Sequence, residues 1–393
     1  MPTTGWQTQL PADGMAKPLS GVRVLELARI LAGPWCGQLL ADLGAEVIKI
    51  ERPVSGDDTR HWGPPFVISD SGENLGAAYY HSTNRGKRSI AVDIASPAGQ
   101  RIVRELAASA DVVIENYKVG GLKKYGLDHP ALSALNPRLI TCSITGFGQT
   151  GPYAHRPGYD YIAQAMGGLM SMTGEAGRQP QKAGIAVADL FTGVYSAVAI
   201  LAAINRRHGT GLGAHIDMAL LDTQVSVMAN QALNWMTSGT VPRRVGNGHA
   251  NLVPYQAFPT SDGDLVIAVG NDGQFASLCR VLGTGLDNDA RFATNPGRVR
   301  NREVLLAALE ALTATWTRQE LADALEGAGV PAGPINELDD VFANPQVIAR
   351  GMAIARDQRT GVASPIVIDG VRMVSDIAAP GVPETLEEPL TSS

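Results

Sequence analysis

The sequence predicts an α/β protein with a Rossmann-like large domain and a smaller α+β domain. In the N-terminal half, short apolar runs alternate with amphipathic runs, which is typical of strands and helices that build a parallel sheet. After Val241 the pattern changes to short strand-like runs joined by a tight turn. The length of 393 residues also exceeds what one hydrophobic core usually supports, so two domains are expected.

The first βαβ unit is predicted between residues 22 and 50. A strand over 22–27 is followed by the Gly33-Pro34 pair, a helix over 35–43 and a second strand over 46–50. The alternation continues with strands over 89–92, 111–114 and 139–144 and with helices over 97–109 and around 122–125. Parallel strands of this kind bind ligands at their carboxyl ends, so the site is expected there.

The C-terminal part predicts the smaller domain. A loop at Gly246–His249 precedes strands over 255–258 and 265–269, and Asp262-Gly263 between them is a good hairpin turn. Helices are predicted from Gln274, over 302–325 and around 344–350, with a strand near 365–368. Mixed short strands and helices of this kind indicate an α+β arrangement.

Composition and charge exclude several classes of function. The formal net charge of -6 argues against a nucleic-acid partner, so an anionic ligand requires a local basic cluster. The three cysteines show no CxxC spacing and the seven histidines no metal-ligand spacing, so neither a disulfide framework nor a metal is expected. The polar N-terminus has no signal-like apolar run, and a reduced, cytoplasmic location is the default expectation.

Asp189 is the most informative single residue. It is the one charge in the apolar stretch 183–204, which is interrupted by Gly184 and Thr192 and is expected to be a buried helix, not a membrane span. Asp189 follows a strand-like run over 184–188 and precedes a helical run from Leu190. A carboxylate near a helix N-terminus suits a shielded nucleophile, and it equally suits a structural N-cap. The residues alone leave both interpretations open.

Gly146–Gly151 matches the GxGxxG pattern after a strand, but its context does not suit a nicotinamide site. Pro152 follows directly, and residues 153–158 cannot open a helix. The loop can still offer backbone N–H groups to another phosphate. Basic residues cluster in the first 140 positions and indicate either a phosphorylated ligand or a solvated surface: Arg52, Arg85, Lys87, Arg88, Lys118, Lys123, Lys124 and Arg138.

Several runs together resemble the class III CoA-transferases, the CaiB/BaiF family of formyl-CoA transferase and α-methylacyl-CoA racemase. The similarity covers about residues 18–380, and no single run is decisive. The matching runs are LSGVRVLEL, LAGPWCGQLLADLGAEVIKIERP, NRGKRSIAVD, ADVVIENY, LNPRLI, GFGQTGPY, VADLFTG, RRHGTGLGAHIDMALLD, GVPAGPIN and VASPIVIDG.

The resemblance implies an interlocked homodimer that uses coenzyme A as co-substrate, with acyl-CoA and small carboxylates as substrates. It implies a large CoA-binding domain over 18–225 that is completed by 345–393, a small domain over 240–335, and linkers over 226–239 and 336–344. Asp189 corresponds to the catalytic aspartate of the family. The implied CoA contacts are Leu31, Ala32, Arg52, Val92, Asp93, Ile94, Ala95, Asn116, Tyr117, Lys118, Lys124, Thr145, Gly146, Phe147 and Gly148. The implied substrate and lid residues are Asn247, His249, Gly270, Asn271, Asp272, Gly273 and Gln274.

Within the family, CoA transfer is favoured over racemisation. The racemases use a histidine in a Gly-His-Asp run, and the corresponding run here is Gly158-Tyr159-Asp160. A tyrosine, with a reference pKa of about 10, is a poor base at neutral pH. The loop around His249 resembles that of members acting on dicarboxylates, which points to succinyl-CoA as donor and a small dicarboxylate as acceptor. With Asp189 as the nucleophile, transfer is expected to run through an aspartyl-acyl anhydride and an aspartyl-CoA thioester. An acyl-CoA racemase or epimerase, a non-catalytic CoA-binding protein and an NAD-dependent dehydrogenase are the alternatives.

Overall fold

The computed structural model describes residues 17–357 and 359–383. The strands are β1 (Arg23–Glu26), β2 (Glu46–Glu51), β3 (Phe66–Ile68), β4 (Asn74–Ala77), β5 (Lys87–Ala91), β6 (Val112–Glu115), β7 (Ile140–Thr145), β8 (Ala214–Ala219), β9 (Tyr255–Thr260), β10 (Gly263–Ala268), β11 (Ala332–Pro334), β12 (Ala353–Arg356), β13 (Arg359–Val362), β14 (Val367–Ile368) and β15 (Val371–Arg372). The helices are α1 (Ala32–Asp42), α2 (Ala78–His81), α3 (Pro97–Ser109), α4 (His129–Leu135), α5 (Asp160–Met166), α6 (Leu169–Met172), α7 (Val187–Thr210), α8 (Leu220–Ser226), α9 (Ala229–Ser238), α10 (Asp272–Val281), α11 (Asn295–Arg300), α12 (Arg302–Thr313), α13 (Arg318–Gly327), α14 (Leu338–Ala343) and α15 (Pro345–Ala349).

The first unit is built on a parallel sheet with the strand order β5-β2-β1-β6-β7-β8. Each neighbouring pair runs parallel, with Val24 of β1 opposite Val47 of β2 on one side and Val112 of β6 on the other. In order of appearance this is the 3-2-1-4-5-6 arrangement of a doubly wound fold. The predicted Rossmann-like α/β architecture is therefore confirmed.

Helices cover both faces of this sheet. On one face, Cys36 and Leu40 of α1 and Ile200 of α7 are buried in one apolar cluster with the sheet. On the other, Ile102 of α3 and Leu132 of α4 are buried in a second cluster. Because both faces are covered, the central strands are apolar on both sides, as Val112, Val113 and Ile114 of β6 show.

Two helix starts in the first unit differ from the sequence prediction. Helix α1 begins at Ala32, three positions earlier than expected. Proline is tolerated at Pro34 because N–H groups in the first turn of a helix have no intrahelical acceptor, so the missing N–H costs no hydrogen bond. The strand expected over 184–188 does not form, since α7 already begins at Val187 and places Asp189 in its first turn. By contrast, α3 has the predicted bounds, with the Ser96 hydroxyl accepting a hydrogen bond from the Gly99 N–H at 2.9 Å.

Helix α7 is also long and apolar enough to meet the length and composition criteria of a membrane span, with a mean hydropathy of 1.9. Buried core helices of globular proteins meet the same criteria. Here Ala188, Thr192 and Ile200 of α7 are fully buried within the protein. The expectation that the chain is not membrane-bound remains a prediction.

The C-terminal stretch packs on the first unit, which comprises the described chain up to Gly168, Ala183–Met228 and the part from Pro345 onward. The Ser375 N–H donates to Asp42 Oδ1 at 2.8 Å, and Arg60 Nη2 donates to the Gly381 carbonyl at 2.9 Å. Asp42 also pairs with Arg85 at 2.7 Å. The buried charged side chains of Asp42 and Arg60 thus hold the segment 375–381, more than 300 positions later in the chain.

The second unit comprises Leu169–Lys182 and Ala229–Asn344 and contains the antiparallel sheet β11-β10-β9. The predicted hairpin forms, with Thr260 opposite Gly263, and Phe258, Leu265 and Phe275 lie in a separate apolar core.

The boundaries of this unit differ from the expected ones. The presumed linkers 226–239 and 336–344 contain helices α9 and α14, and 169–182 belongs to this unit. Long-range hydrogen bonds hold that segment, from the Gly246 N–H to the Gly174 carbonyl and from Arg244 to the Ser171 carbonyl, both at 3.1 Å. No local sequence pattern reveals such bonds.

Candidate active site

A cavity of about 440 Å³ opens at the carboxyl ends of β1, β6 and β7. This is the point where the strand order of the sheet reverses, between β1 and β6, and doubly wound folds bind ligands there. The sequence-predicted site residues that line the cavity are Leu31, Ala32, Asn116, Tyr117, Lys118, Lys124, Thr145, Gly146 and Asp189. The topology therefore brings together residues from four separate stretches of chain.

The loop after β1 is held in an unusual conformation at the cavity wall. Ile30 has φ 74°, which is rare for a β-branched residue and costs conformational energy. Its N–H donates to Asp57 Oδ2 at 3.3 Å, while Asn116 accepts from the Arg29 N–H at 2.9 Å and donates to the Arg29 carbonyl at 2.6 Å. Two side chains from other segments thus fix the backbone that leads into Leu31.

Asp57 is able to hold this loop because it is permanently ionised. It is fully buried and forms an ion pair with the equally buried Lys49 at 3.0 Å. Burial alone would raise the pKa of Asp57, but the Lys49 ammonium and the hydrogen bonds from Thr59 outweigh it and lower the pKa to about 2.

Asp189 lies in the first turn of α7 and lines the cavity. Burial raises the pKa of the Asp189 carboxyl to about 7, and the nearby negative charge of Asp160 adds to the effect. At neutral pH this carboxyl therefore exists in both the ionised and the protonated form. A poorly solvated carboxylate is a better nucleophile than an exposed one, since less water has to be removed before it attacks.

Two glycines bring the segment before α5 against the end of β7. A Cβ on Gly146 would lie 2.5 Å from the Cα of Gly158, and a Cβ on Gly158 would lie 2.3 Å from the Cα of Gly146. Only two residues without side chains can approach so closely. This contact places Tyr159 at the cavity wall and Asp160 beside the start of α7.

The cavity is lined by four cationic side chains: Arg29, Lys118, Lys124 and Arg156. Arg29 pairs with Asp58 at 2.6 Å, and Arg156 lies over the Tyr153 ring at 3.9 Å. Lys124 lies 4.6 Å from the centre of the Tyr125 ring. Such a group of cations beside apolar walls fits a ligand with phosphates and an apolar arm, as CoA has.

Sequence reasoning missed Arg29 and Arg156 as site residues. Arg29 follows β1 directly, and the rule that ligands bind at the carboxyl ends of strands could have identified it. Arg156 lies in a turn-rich loop and lines the cavity two residues before Gly158, which packs on Gly146. No local signal in the sequence indicates that contact.

Some predicted CoA contacts lie outside the cavity. Arg52 pairs with Asp58, which links it to Arg29, and Gly148 donates to Thr145 Oγ1 at 2.9 Å. The Phe147 ring lies 5.8 Å from that of Tyr153. Val92, Asp93, Ile94 and Ala95 follow β5, the strand at the edge of the sheet and two positions from β1, which is why they are separated from the cavity.

The predicted substrate and lid residues lie in the second unit. Gly270–Gln274 form the start of α10, where Asn271 Oδ1 accepts from the Gln274 N–H at 2.9 Å and Asp272 pairs with the buried Arg298 at 2.8 Å. His249 Nδ1 accepts from the backbone N–H groups of Asn251 and Leu252 at 3.0 and 3.1 Å, and the exposed Asn247 lies in the turn before it. These segments are fixed within their own unit.

The GxGxxG run behaves as its context predicts. Turns follow Gly151, and the next helix, α5, begins only at Asp160. A dinucleotide fingerprint requires the helix to begin within the run, so this loop lacks that geometry. Among the described residues, no group of three or more His, Cys, Asp or Glu side chains could hold a metal ion.

Comparison with known proteins gives a consistent result over the whole described chain. The family model of CoA-transferase family III matches residues 19–382. A succinate–glutarate CoA-transferase of Agrobacterium fabrum is 57% identical over 356 residues, covering 90% of this chain and 88% of that protein. A succinyl-CoA:glutarate CoA-transferase of Mus musculus is 47% identical over 353 residues, covering 90% of this chain and 79% of its own length.

Solved structures show the same similarity. The crystal structure of a CaiB/BaiF family protein from Brucella suis is 55% identical in sequence, with a TM-score of 0.84. The match covers 94% of this chain and 97% of that one. The resemblance expected from the sequence motifs is thereby confirmed.

Proposed function

This chain belongs to CoA-transferase family III, and from that premise we propose that it moves CoA from succinyl-CoA to a small dicarboxylic acid such as glutarate. The proposal rests on one observation above all. Asp189, a poorly solvated carboxyl in the first turn of α7, lines a cavity that also holds four cationic side chains. The relatives named for transfer between succinate and glutarate support this choice of acids.

In the first half-reaction, an Asp189 carboxylate oxygen attacks the thioester carbonyl of succinyl-CoA. The C–S bond breaks, which gives an aspartyl-succinyl anhydride and CoA thiolate. The thiolate then attacks the aspartyl carbonyl, so succinate leaves and CoA remains bound to Asp189 as a thioester. The free energy of the thioester is retained because the acyl group is never transferred to water.

The second half-reaction runs the same steps in reverse. The carboxylate of the acceptor acid attacks the aspartyl-CoA thioester and forms a second anhydride, with release of CoA thiolate. The thiolate attacks the acceptor's acyl carbon, forms the new acyl-CoA and regenerates the Asp189 carboxylate. Charge balances at each step, since one anion attacks and one anion leaves.

The fold supplies two groups that assist this chemistry. The first turn of α1 begins at the cavity with Ala32, and the N–H groups at a helix start lack intrahelical acceptors, so they can donate to an oxyanion. The four cationic side chains that line the cavity would hold the phosphates of CoA, and this would orient the thioester towards Asp189.

Racemisation by the same site lacks a suitable base. The racemase-type histidine position is Tyr159, which lines the cavity and is 63% exposed. Among the described residues that line this cavity there is no histidine. Exchange of the Cα proton of an acyl-CoA with solvent deuterium, in the absence of any acid acceptor, would support the racemase alternative.

We further propose that two chains associate as an interlocked homodimer in the cytoplasm. Large apolar side chains are exposed on α7 and α9, including Phe191 at 46%, Val198 at 56%, Leu233 at 63% and Trp235 at 49%. Apolar surface of this extent is usually covered by a partner. Light scattering coupled to size exclusion should give twice the chain mass, and interlocked chains should separate only when they unfold.

Intact-mass spectrometry after incubation with succinyl-CoA tests the covalent route. We expect a succinyl-sized or CoA-sized adduct on the wild type that hydroxylamine removes, and no adduct on Asp189→Ala. Asp222→Ala is the matched control, because Asp222 is exposed on α8 and does not line the cavity. Absence of an adduct on the wild type with succinyl-CoA and with a panel of other acyl-CoAs would contradict the proposal.

A further inference from the structure

The first turn of α7 is capped by a side chain from another element. Ala186, at the N-cap position, provides no side-chain hydrogen bond. Instead, Asp160 Oδ1 accepts from the Ala188 N–H at 2.8 Å and from the Asp189 N–H at 3.3 Å. A carboxylate at this place satisfies unpaired N–H groups and interacts favourably with the helix dipole.

Asp160 is itself held in position. Its Oδ2 accepts from Gln164 Nε2 at 2.7 Å, and Gln164 is fully buried. Gln164 Oε1 accepts from the Ala183 N–H at 2.9 Å, and its Nε2 also lies 3.3 Å from the Ile185 carbonyl. The same pair of side chains therefore anchors both the segment that leads into α7 and the first turn of α7.

The two carboxyl groups interact electrostatically as well. Asp160 contacts the Asp189 backbone N–H, so its charge lies close to the carboxyl that the proposed reaction uses. Like charges at short range disfavour ionisation of one another. The capping group therefore orients Asp189 and at the same time opposes its ionisation.

We propose that Asp160 is a positioning residue for the transfer reaction, which holds the backbone of Asp189 and thereby the direction of its carboxylate. The inference rests on the proposed role of Asp189 as the nucleophile. Asp160 is not among the residues that line the cavity, so it acts through Asp189 and not on the substrate.

The other charged and titratable groups around Asp189 do not have this effect. Tyr79 interacts electrostatically with Asp189, but burial and then that carboxylate raise the pKa of Tyr79 to about 12, so it stays neutral. The cations Arg29, Lys118, Lys124 and Arg156 and the phenols Tyr117, Tyr125 and Tyr159 line the cavity, and Asp189 is its one carboxyl among the described residues. The acidic limb of the pH profile is thus assigned to Asp189.

Two substitutions of Asp160 separate orientation from charge. In Asp160→Asn the side-chain carbonyl still accepts from the Ala188 and Asp189 N–H groups, while the negative charge and the hydrogen bond accepted from Gln164 Nε2 are lost. We expect kcat within about threefold of the wild type at pH 8, and an acidic limb of kcat/KM displaced to lower pH by about one unit. In Asp160→Ala the acceptor is lost, so kcat should fall about a hundredfold while KM for succinyl-CoA changes little.

Thr317→Ala is the matched control, because it removes a helix cap of similar type from α13 in the second unit. It should lower thermal stability without moving the pH profile. An acidic limb that stays in place in Asp160→Asn, or an unchanged kcat in Asp160→Ala, would overturn the positioning role. If Asp160→Ala does not fold, the position of the acidic limb of kcat/KM in Asp160→Asn still tests the proposal. A wild type that forms no adduct would instead overturn the proposed function itself.

Discussion

A Cβ on Gly193 would lie 2.7 Å from the carbonyl oxygen of Ala32, which shows how closely the starts of α7 and α1 pack. Gly193 is buried in α7, one turn after Asp189. Ala32 lines the cavity. The absence of a side chain at Gly193 lets α7 and the start of α1 pack closely beside the cavity that Asp189 and Ala32 both line. The proposed nucleophile and the N–H groups that are proposed to stabilise oxyanions thus lie on two helices that pack against each other at Gly193.

We expect Gly193→Ala to reduce both stability and activity. The new methyl group meets backbone, which cannot move aside, and such overpacking costs about 1–3 kcal/mol, partly offset by about 1 kcal/mol of helix propensity. The rate should fall at least about tenfold, because the two helix starts are forced apart. Gly209→Ala in the same helix, where nothing lies within 4 Å, is the control and should be as stable as the wild type or more so. Equal behaviour of the two variants in urea unfolding and in turnover would contradict this packing argument.

Asp189 should make the protein less stable as the pH rises. Its pKa is about 7 in the folded protein against an ordinary value of 3.8, so between these two pH values the folded state binds more protons than the unfolded state. Stability from this group is complete below about pH 4 and is lost as the pH rises through 7. Asp189→Asn should therefore gain on the order of 2 kcal/mol over the wild type at pH 8 and little at pH 4, measured by urea unfolding. A stability difference between Asp189→Asn and the wild type that does not depend on pH would show that the pKa of Asp189 is not raised in the folded protein.

Asp57 should have the opposite dependence on pH. Its pKa is lowered to about 2, so its stabilising contribution is present above about pH 4 and is lost as the pH falls through 2. Asp57→Ala leaves Lys49 buried with one partner fewer, and at pH 7 this should cost about 3–5 kcal/mol in unfolding free energy. Because Asp57 also holds Ile30, KM for the acyl-CoA should rise. Asp58→Ala, which breaks more exposed pairs with Arg29 and Arg52, is the comparison and should cost at most about 1 kcal/mol.

The lysines of the cavity should determine affinity for CoA and not the rate of the chemical step. Lys118→Ala and Lys124→Ala should each raise KM for succinyl-CoA about tenfold, and the effect should shrink at high salt. Lys123→Ala is the control, since Lys123 adjoins Lys124 but does not line the cavity. A fall in kcat without a change in KM, or an equal effect of Lys123→Ala, would mean that the phosphates bind elsewhere.

Local signals allowed most of the scaffold to be predicted. Helix α3 has the predicted bounds because Ser96 and Pro97 mark its start, and the Asp262-Gly263 turn indicated the hairpin of β9 and β10. The first two strands were predicted to within one residue at each end. The prediction is wrong where local rules conflict: the Gly33-Pro34 pair indicates a break before the helix, but Pro34 lies in the first turn of α1.

The sequence by itself determined the fold class, the family and the identity of Asp189 as the candidate nucleophile. Periodicity, turn residues and the order of motifs are properties of the linear sequence, so they can be read without the tertiary structure. Only the tertiary structure decided that Asp160 caps α7, that Arg29 and Arg156 line the cavity, and that the pKa of Asp189 is raised. These depend on approaches such as that of Gly146 to Gly158 and on burial. Close approaches and burial are both determined by how segments distant in the sequence pack together. The pattern of neighbouring residues therefore does not predict them.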